Sequence, residues 1–367
     1  KHKNPGLQKY ALDCVLNYKN KSLIPYKNNL HNLVDEKKFK DELTQFKITK
    51  DSEAIQPDHR EHVIPIILRI LYGKMTTKLA ADKKGGGQTR RSLIMRYLSG
   101  CNEDELKMFI DMAFSYLKDY MTMESKEIYK STLKNIDLKS VTSPGKLHSI
   151  LNLFDVVREY FGGYMKDQLL SEFFKIFYAV CSNVASVLSN VDKVHISYVK
   201  VMKNLRTLSI TILAKLFDHF DKYVWSKDEL FVIFKCLIWP LVPRLPIEGV
   251  NNPTPLLKLF NTWCQNPRYY TLFITCDEND SSLSVLPFIF NLVVAPKTSP
   301  AVVNLILDMI EKLLTLIEDE EEKEIPNIDS FCTLKVEAED KADINFGSKI
   351  LIPHLPCILE VMKRRIA

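Results

Sequence analysis

The chain has 367 residues, of which 46% are hydrophobic and 26% charged; 50 basic and 45 acidic side chains leave a formal net charge of +5. That composition belongs to a folded chain with a large core, and the length calls for two domains or one extended array. Only 11 glycines and 17 prolines argue against a sheet-rich fold with many tight turns.

The first helix is predicted from Leu7, Tyr10, Ala11, Cys14, Val15 and Tyr18, spaced as one apolar stripe. Ser22 is placed to cap a second helix whose face is Leu23, Tyr26, Leu30, Leu33 and Val34. Phe39, Leu43 and Phe46 mark a third, shorter one. Asp58 and Glu61 resemble a capping box before a helix that is apolar almost all round, from Val63 to Leu71. Pro65 lies past its first turn and should kink it. Residues 76–92 are polar and hold Gly85-Gly86-Gly87, which predicts a loop. Helical spacing resumes at Leu93 and stops at Gly100; Leu106, Phe109, Ile110, Ala113, Phe114 and Leu117 form the next stripe.

Residues 122–145 are weakly patterned, end in Ser143-Pro144-Gly145, and read as a connector. Four apolar helical stretches follow over 146–240, broken at Gly162-Gly163 and Ser189-Asn190. Pro253 and Pro255 frame a short helix, and 284–317 reads as a helix pair split between Pro296 and Pro300. Residues 318–346 open with six acids and one lysine over 318–324 and predict a flexible acidic insertion. A final helix starts near Lys349.

One phrase recurs at four of these places: Leu23-Ile24-Pro25-Tyr26, Val63-Ile64-Pro65-Ile66, Val285-Leu286-Pro287-Phe288 and Leu351-Ile352-Pro353-His354. Proline favours the first turn of any helix, but four copies with matched apolar flanks predict stacked helix pairs. The expected fold is therefore all-α, a HEAT-like helical-repeat solenoid (α-α superhelix). Its expected parts are repeats over 1–121, a connector over 122–145, repeats over 146–317, the insertion over 318–346 and a last repeat helix over 347–367.

Eight scattered cysteines, with no Cys-x-x-Cys pair, read as reduced core residues in a reducing compartment. No eighteen apolar residues run uninterrupted, so no membrane span is expected. The chain opens Lys1-His2-Lys3 without methionine, as a piece of something longer would.

Chemistry-bearing motifs are few. Lys74, Lys78, Lys83, Lys84, Arg90, Arg91 and Arg96 surround the glycine run against one acid, Asp82. Such a basic hinge can track a phosphate backbone and gain from counterion release, which makes these seven the candidate RNA contacts. A lysine-rich solvated loop fits the same residues. Gly85-Gly86-Gly87-Gln88-Thr89 lacks the Gly-Lys-Ser/Thr ending of a nucleotide-binding loop. His59 and His62, near Asp58 and Glu61, have metal-ligand spacing but no third ligand; Asp218, His219 and Asp221 sit in a packing stripe. No nucleophile elbow occurs. Phe173-Phe174, Phe177-Tyr178 and Tyr269-Tyr270 are read as core before base-stacking platforms. No catalytic residue, cofactor or metal is expected.

Several strings stand out in order along the chain: Leu7-Gln8-Lys9-Tyr10-Ala11-Leu12-Asp13-Cys14, Arg69-Ile70-Leu71-Tyr72-Gly73-Lys74-Met75 and Tyr97-Leu98-Ser99-Gly100-Cys101. Further on come Trp239-Pro240-Leu241, Pro253-Thr254-Pro255-Leu256, Asn266-Pro267-Arg268-Tyr269-Tyr270 and Ala295-Pro296-Lys297-Thr298-Ser299-Pro300. Together they resemble the down-regulated-in-metastasis (DRIM) family of large nucleolar HEAT-repeat proteins, a likeness densest over 5–118. It implies a non-catalytic scaffold of the small-subunit processome in the nucleus and nucleolus. The implied partners are pre-ribosomal RNA, the small nucleolar ribonucleoprotein that guides early cleavage, and other processome proteins, with no membrane or small-molecule substrate. A protein-cargo scaffold or nuclear transport receptor, acting without RNA, keeps the same fold as the alternative.

Overall fold

The structure, a computed structural model, describes residues 4–76, 86–134, 138, 141–317, 328, 333 and 344–366. The chain is an all-α helical-repeat protein; among the described residues the only β-type pairings are isolated bridges, Thr275 with Thr333 and Cys276 with Ser284. It divides into two compact units, residues 1–121 with 153–173 and residues 122–152 with 174–367.

The first unit holds α1 (Pro5–Asn17), α2 (Lys27–Val34), α3 (Phe39–Gln45), α4 (Arg60–Thr76), α5 (Gly86–Leu98), α6 (Glu103–Ala113) and α7 (Lys118–Met121). Packing is local in sequence: α2 touches α1, α3 and α4, and α4 touches α5 and α6. This is the neighbour-to-neighbour burial that stacked helix pairs require. The α2 face is as predicted, with Leu23, Tyr26, Leu30, Leu33 and Val34 all buried, and so is the Leu106–Leu117 stripe apart from a half-buried Ala113. Arg60 forks onto Glu105 (Nε–Oε1 2.9 Å, Nη2–Oε2 2.7 Å) and donates to the Ile48 carbonyl at 2.7 Å. Glu105 also closes a capping box with Asn102 at the start of α6.

Four expectations are corrected here. The α1 stripe faces outward: Tyr10 is 72% and Tyr18 87% exposed, with Leu7, Cys14 and Val15 also exposed, while Leu12 and Leu16 face the core. Ser22 does not cap; its own N–H donates to Asn20 Oδ1 at 2.9 Å. Asp58 lies within a 3-10 turn, Pro57–His59, and caps nothing by its side chain. The loop predicted for 76–92 is overturned at its C-terminal end, where α5 already begins at Gly86.

The second unit holds α8 (Ser125–Lys134), α11 (Ile196–His219), α12 (Lys227–Ile233), α13 (Leu245–Glu248), α14 (Pro255–Trp263), α15 (Val285–Val294), α16 (Pro300–Thr315), α17 (Phe346–Leu351) and α18 (Leu355–Ile366). The unit boundary crosses α9 (Pro144–Phe161) and α10 (Asp167–Leu188). The segment read as a connector thus contains α8, which packs on α12 with Tyr129 edge-on to Phe231 at 5.6 Å. The last helical segment begins at Phe346 rather than Lys349. An aromatic core forms around Trp225, stacked on Phe217 at 4.4 Å and Phe174 at 5.4 Å. Phe173, Phe177, Tyr178, Tyr269 and Tyr270 are also buried. Most of the acidic insertion lies outside the described residues.

The stretch Lys227–Glu248 is long and apolar enough to cross a membrane by length and composition, with mean hydropathy 1.7, yet most of it is buried inside the unit, as a core helix is. It contains a π-turn, Phe234–Ile238, closed by Trp239 N–H to the Phe234 carbonyl at 2.9 Å. Lys235, in that turn, meets Asp277 at 2.6 Å.

The proline phrase has a common local meaning at two of its four places. Ile24–Tyr26 and Ile352–His354 are 3-10 turns that run straight into α2 and α18. Pro287 sits in the first turn of α15, whereas Pro65 lies inside α4, which runs through it from Arg60 to Thr76.

Candidate nucleic-acid interface

The basic segment between α4 and α5 separates into residues that brace the fold and residues that face solvent. Lys74, at the end of α4, is only 1% exposed. Its Nζ donates to the Val34 carbonyl and to Glu36 Oε1, and lies 5.5 Å from the Phe39 ring centre. Arg90, in the first turns of α5, holds the same carboxylate (Nη2 to Oε2 2.8 Å and to Oε1 3.1 Å), and its guanidinium lies 5.2 Å from that ring. Glu36 and Phe39 therefore tie the end of α4 to the start of α5. Burial pulls the Lys74 ammonium below the usual lysine range, and Glu36 opposes the pull.

The other candidates differ. Arg91 is half-buried and its Nε has no hydrogen-bond partner among the described residues. Arg96 is exposed. Lys78, Lys83 and Lys84 lie outside the described residues, as does Gly85, while Gly86 and Gly87 open α5. So the described part of this segment offers solvent-facing charge from Arg96 and part of Arg91, while Lys74 and Arg90 brace the fold. Sequence reasoning missed Glu36, because a carboxylate some forty residues upstream gives no local sign of its partner.

The histidines weighed for metal have other surroundings. His59 Nδ1 lies 3.0 Å from Tyr26 Oη, which also accepts the Gln56 N–H at 3.0 Å. His62 is exposed, and His219 stands edge-on to Phe220 at 4.8 Å.

Helices packed on their neighbours in sequence define an all-α helical-repeat protein. The chain belongs to the family described as U3 small nucleolar RNA-associated protein 20, N-terminal, which it matches over residues 1–367. It is 28% identical over 293 residues to the U3 small nucleolar RNA-associated protein 20 of Saccharomyces cerevisiae, covering 79% of this chain and 11% of that protein. It is 26% identical over 322 residues to the protein of the same name from Schizosaccharomyces pombe, covering 87% of this chain and 12% of that protein. The chain thus spans about a tenth of the length of these relatives. The likeness read from the sequence to large nucleolar helical-repeat proteins is borne out.

Proposed function

We propose that this chain is a non-catalytic scaffold segment of the small-subunit processome, acting in ribosome biogenesis in the nucleolus. On this reading it binds pre-ribosomal or small nucleolar RNA through the basic segment 74–96 and assembly factors through its helical faces. The observation that carries the reading is the family match along the whole of 1–367. The helical-repeat fold supports it, because stacked helices offer long surfaces for many weak contacts.

The RNA contacts are narrowed to Lys78, Lys83, Lys84, Arg91 and Arg96, since Lys74 and Arg90 are committed to Glu36. Reversing Lys83, Lys84, Arg91 and Arg96 to glutamate tests this. Removing the cation opposite one phosphate of a single strand should flatten the log–log salt dependence by about 0.7, so removing four should flatten it by about 3. Unchanged affinity and slope would remove the basic segment from the RNA interface. The engagement of Lys74 and Arg90 favours one competing reading, a protein-binding scaffold that needs no RNA. Association with processome proteins that survives RNase treatment, in a protein that binds no RNA, would establish it.

A further inference from the structure

A second surface, in the second unit, has the features of a built site. One row of α11 carries Ile196, Val199, Lys203 and Arg206, at i, i+3, i+7 and i+10. With Leu188 at the end of α10, Val191, and Arg244, this row lines a groove of about 420 Å³. The groove is graded. Aliphatic side chains occupy the end nearest the α11 N-terminus; at 1.5 Å per residue Lys203 and Arg206 lie about 10 and 15 Å further along the helix than Ile196, and Arg244 lines the groove from outside α11.

Arg206 is the telling member. It is only 8% exposed, yet it makes no hydrogen bond or ion pair among the described residues. The charges nearest in effect are Arg244, which repels it, and Glu248, whose carboxylate lies 3.8 Å from Arg244. A guanidinium this far buried is normally paired with an anion, because an unpaired buried charge is disfavoured. Here no carboxylate of the described residues pairs with it, and its open side faces the groove, where an outside anion can reach it. At the other end Ile196 is 80% exposed, and Val191 is exposed beside it, an apolar ledge that a partner's side chains would cover.

We propose that this groove binds a short acidic peptide of a partner protein, with aliphatic side chains on the Val191–Ile196 ledge and a carboxylate on Arg206 and Arg244. The lining favours peptide over RNA. No aromatic ring lines it to stack a base. Its cations gather at one end, whereas a phosphate backbone brings charge along its whole length. This surface shares no residue with the basic segment 74–96, so it does not depend on the RNA reading.

The test uses the 367-residue chain and an array of peptides of about twelve residues, the length of roughly three helical turns. Each carries two leucines followed by glutamates at varied spacing, with serine-for-leucine and glutamine-for-glutamate controls. A uridine-rich RNA of equal length and inorganic phosphate complete the set. Leucine–glutamate peptides should bind and both controls should not. Arg206→Met should weaken binding by about tenfold or more, the effect of losing a charge-assisted hydrogen bond. The same variant should melt at or above the wild-type temperature, because it removes an uncompensated buried charge. Ile196→Asp, at an exposed position, should weaken binding without lowering the melting temperature. Binding by no peptide in the array, preference for the RNA, or peptide binding indifferent to both substitutions would overturn the proposal.

Discussion

Replacing Glu36 by glutamine should damage the first unit far more than replacing its partner, Lys74, by methionine. The two side chains differ in access to water: that of Lys74 is 1% exposed and that of Glu36 is 37%. Glu36→Gln leaves the ammonium buried, with the Val34 carbonyl and a neutral amide as acceptors. Breaking a buried pair from one side costs about 3–5 kcal/mol, and the remaining acceptors place this case near 3 kcal/mol. Lys74→Met should cost about 1 kcal/mol or less, since a chain of similar volume replaces a desolvated charge. Glu36 then keeps Arg90 and its solvent.

Urea denaturation reads the difference as a shift in midpoint at constant slope. The pH dependence supplies a second check. Burial holds the Lys74 pKa below its unfolded value of 10.5, and loss of Glu36 lowers it further. The unfolded chain then binds more protons than the folded one, so stability rises with pH between the folded pKa and the unfolded one. The Glu36→Gln deficit should therefore shrink as pH rises toward the unfolded lysine pKa. Equal damage from the two substitutions, or a deficit that stays flat or grows over that range, would refute the reasoning.

Glu229 gives the opposite dependence. Its carboxylate is buried and accepts from Tyr223 Oη at 2.8 Å, Tyr178 Oη at 3.3 Å and Ser226 N–H at 2.8 Å. Burial still raises its pKa above the usual value of 4.5, so the folded state holds this proton more tightly. Its contribution to stability is complete below the unfolded pKa and declines as pH rises through the folded one. Whatever Glu229→Gln costs should be largest near pH 4 and smaller at neutral pH; a cost that grows with pH, measured by thermal melting, would contradict this. Thiol labelling should separate the cysteines. Cys14 is exposed, whereas Cys181, Cys236 and Cys264 are buried, with their thiols pushed up by burial, that of Cys236 to about 12. Mass spectrometry under native conditions should find Cys14 modified well before those three; modification of Cys236 as early as Cys14 would count against its burial.

The fold class was readable because apolar spacing of 3.6 and helix-compatible punctuation recur along the chain. The faces of α2 and α6 were readable for the same reason, since each helix carries one dominant apolar row. Helix α1 carries two, and the larger one, from Leu7 to Tyr18, is the one left outside. Periodicity reports where apolar residues lie on a helix but not on which side its neighbours stand. Two capping boxes, Asn102 with Glu105 and Ser226 with Glu229, were written in local sequence and open to reading. The roles of Lys74 and Arg206 were not. In a string each is one base among many, and only the fold decides that one pairs with Glu36 and the other forms no ion pair among the described residues.

The outward row of α1 has a practical consequence. Tyr10, Tyr18 and their aliphatic neighbours form an exposed apolar strip, and ions such as sulfate strengthen apolar association by being excluded from protein surfaces. Kosmotropic salt should therefore gather copies of this chain into oligomers before it alters their folding. An arginine or glutamate introduced at Tyr18 should keep them dispersed in the same buffer.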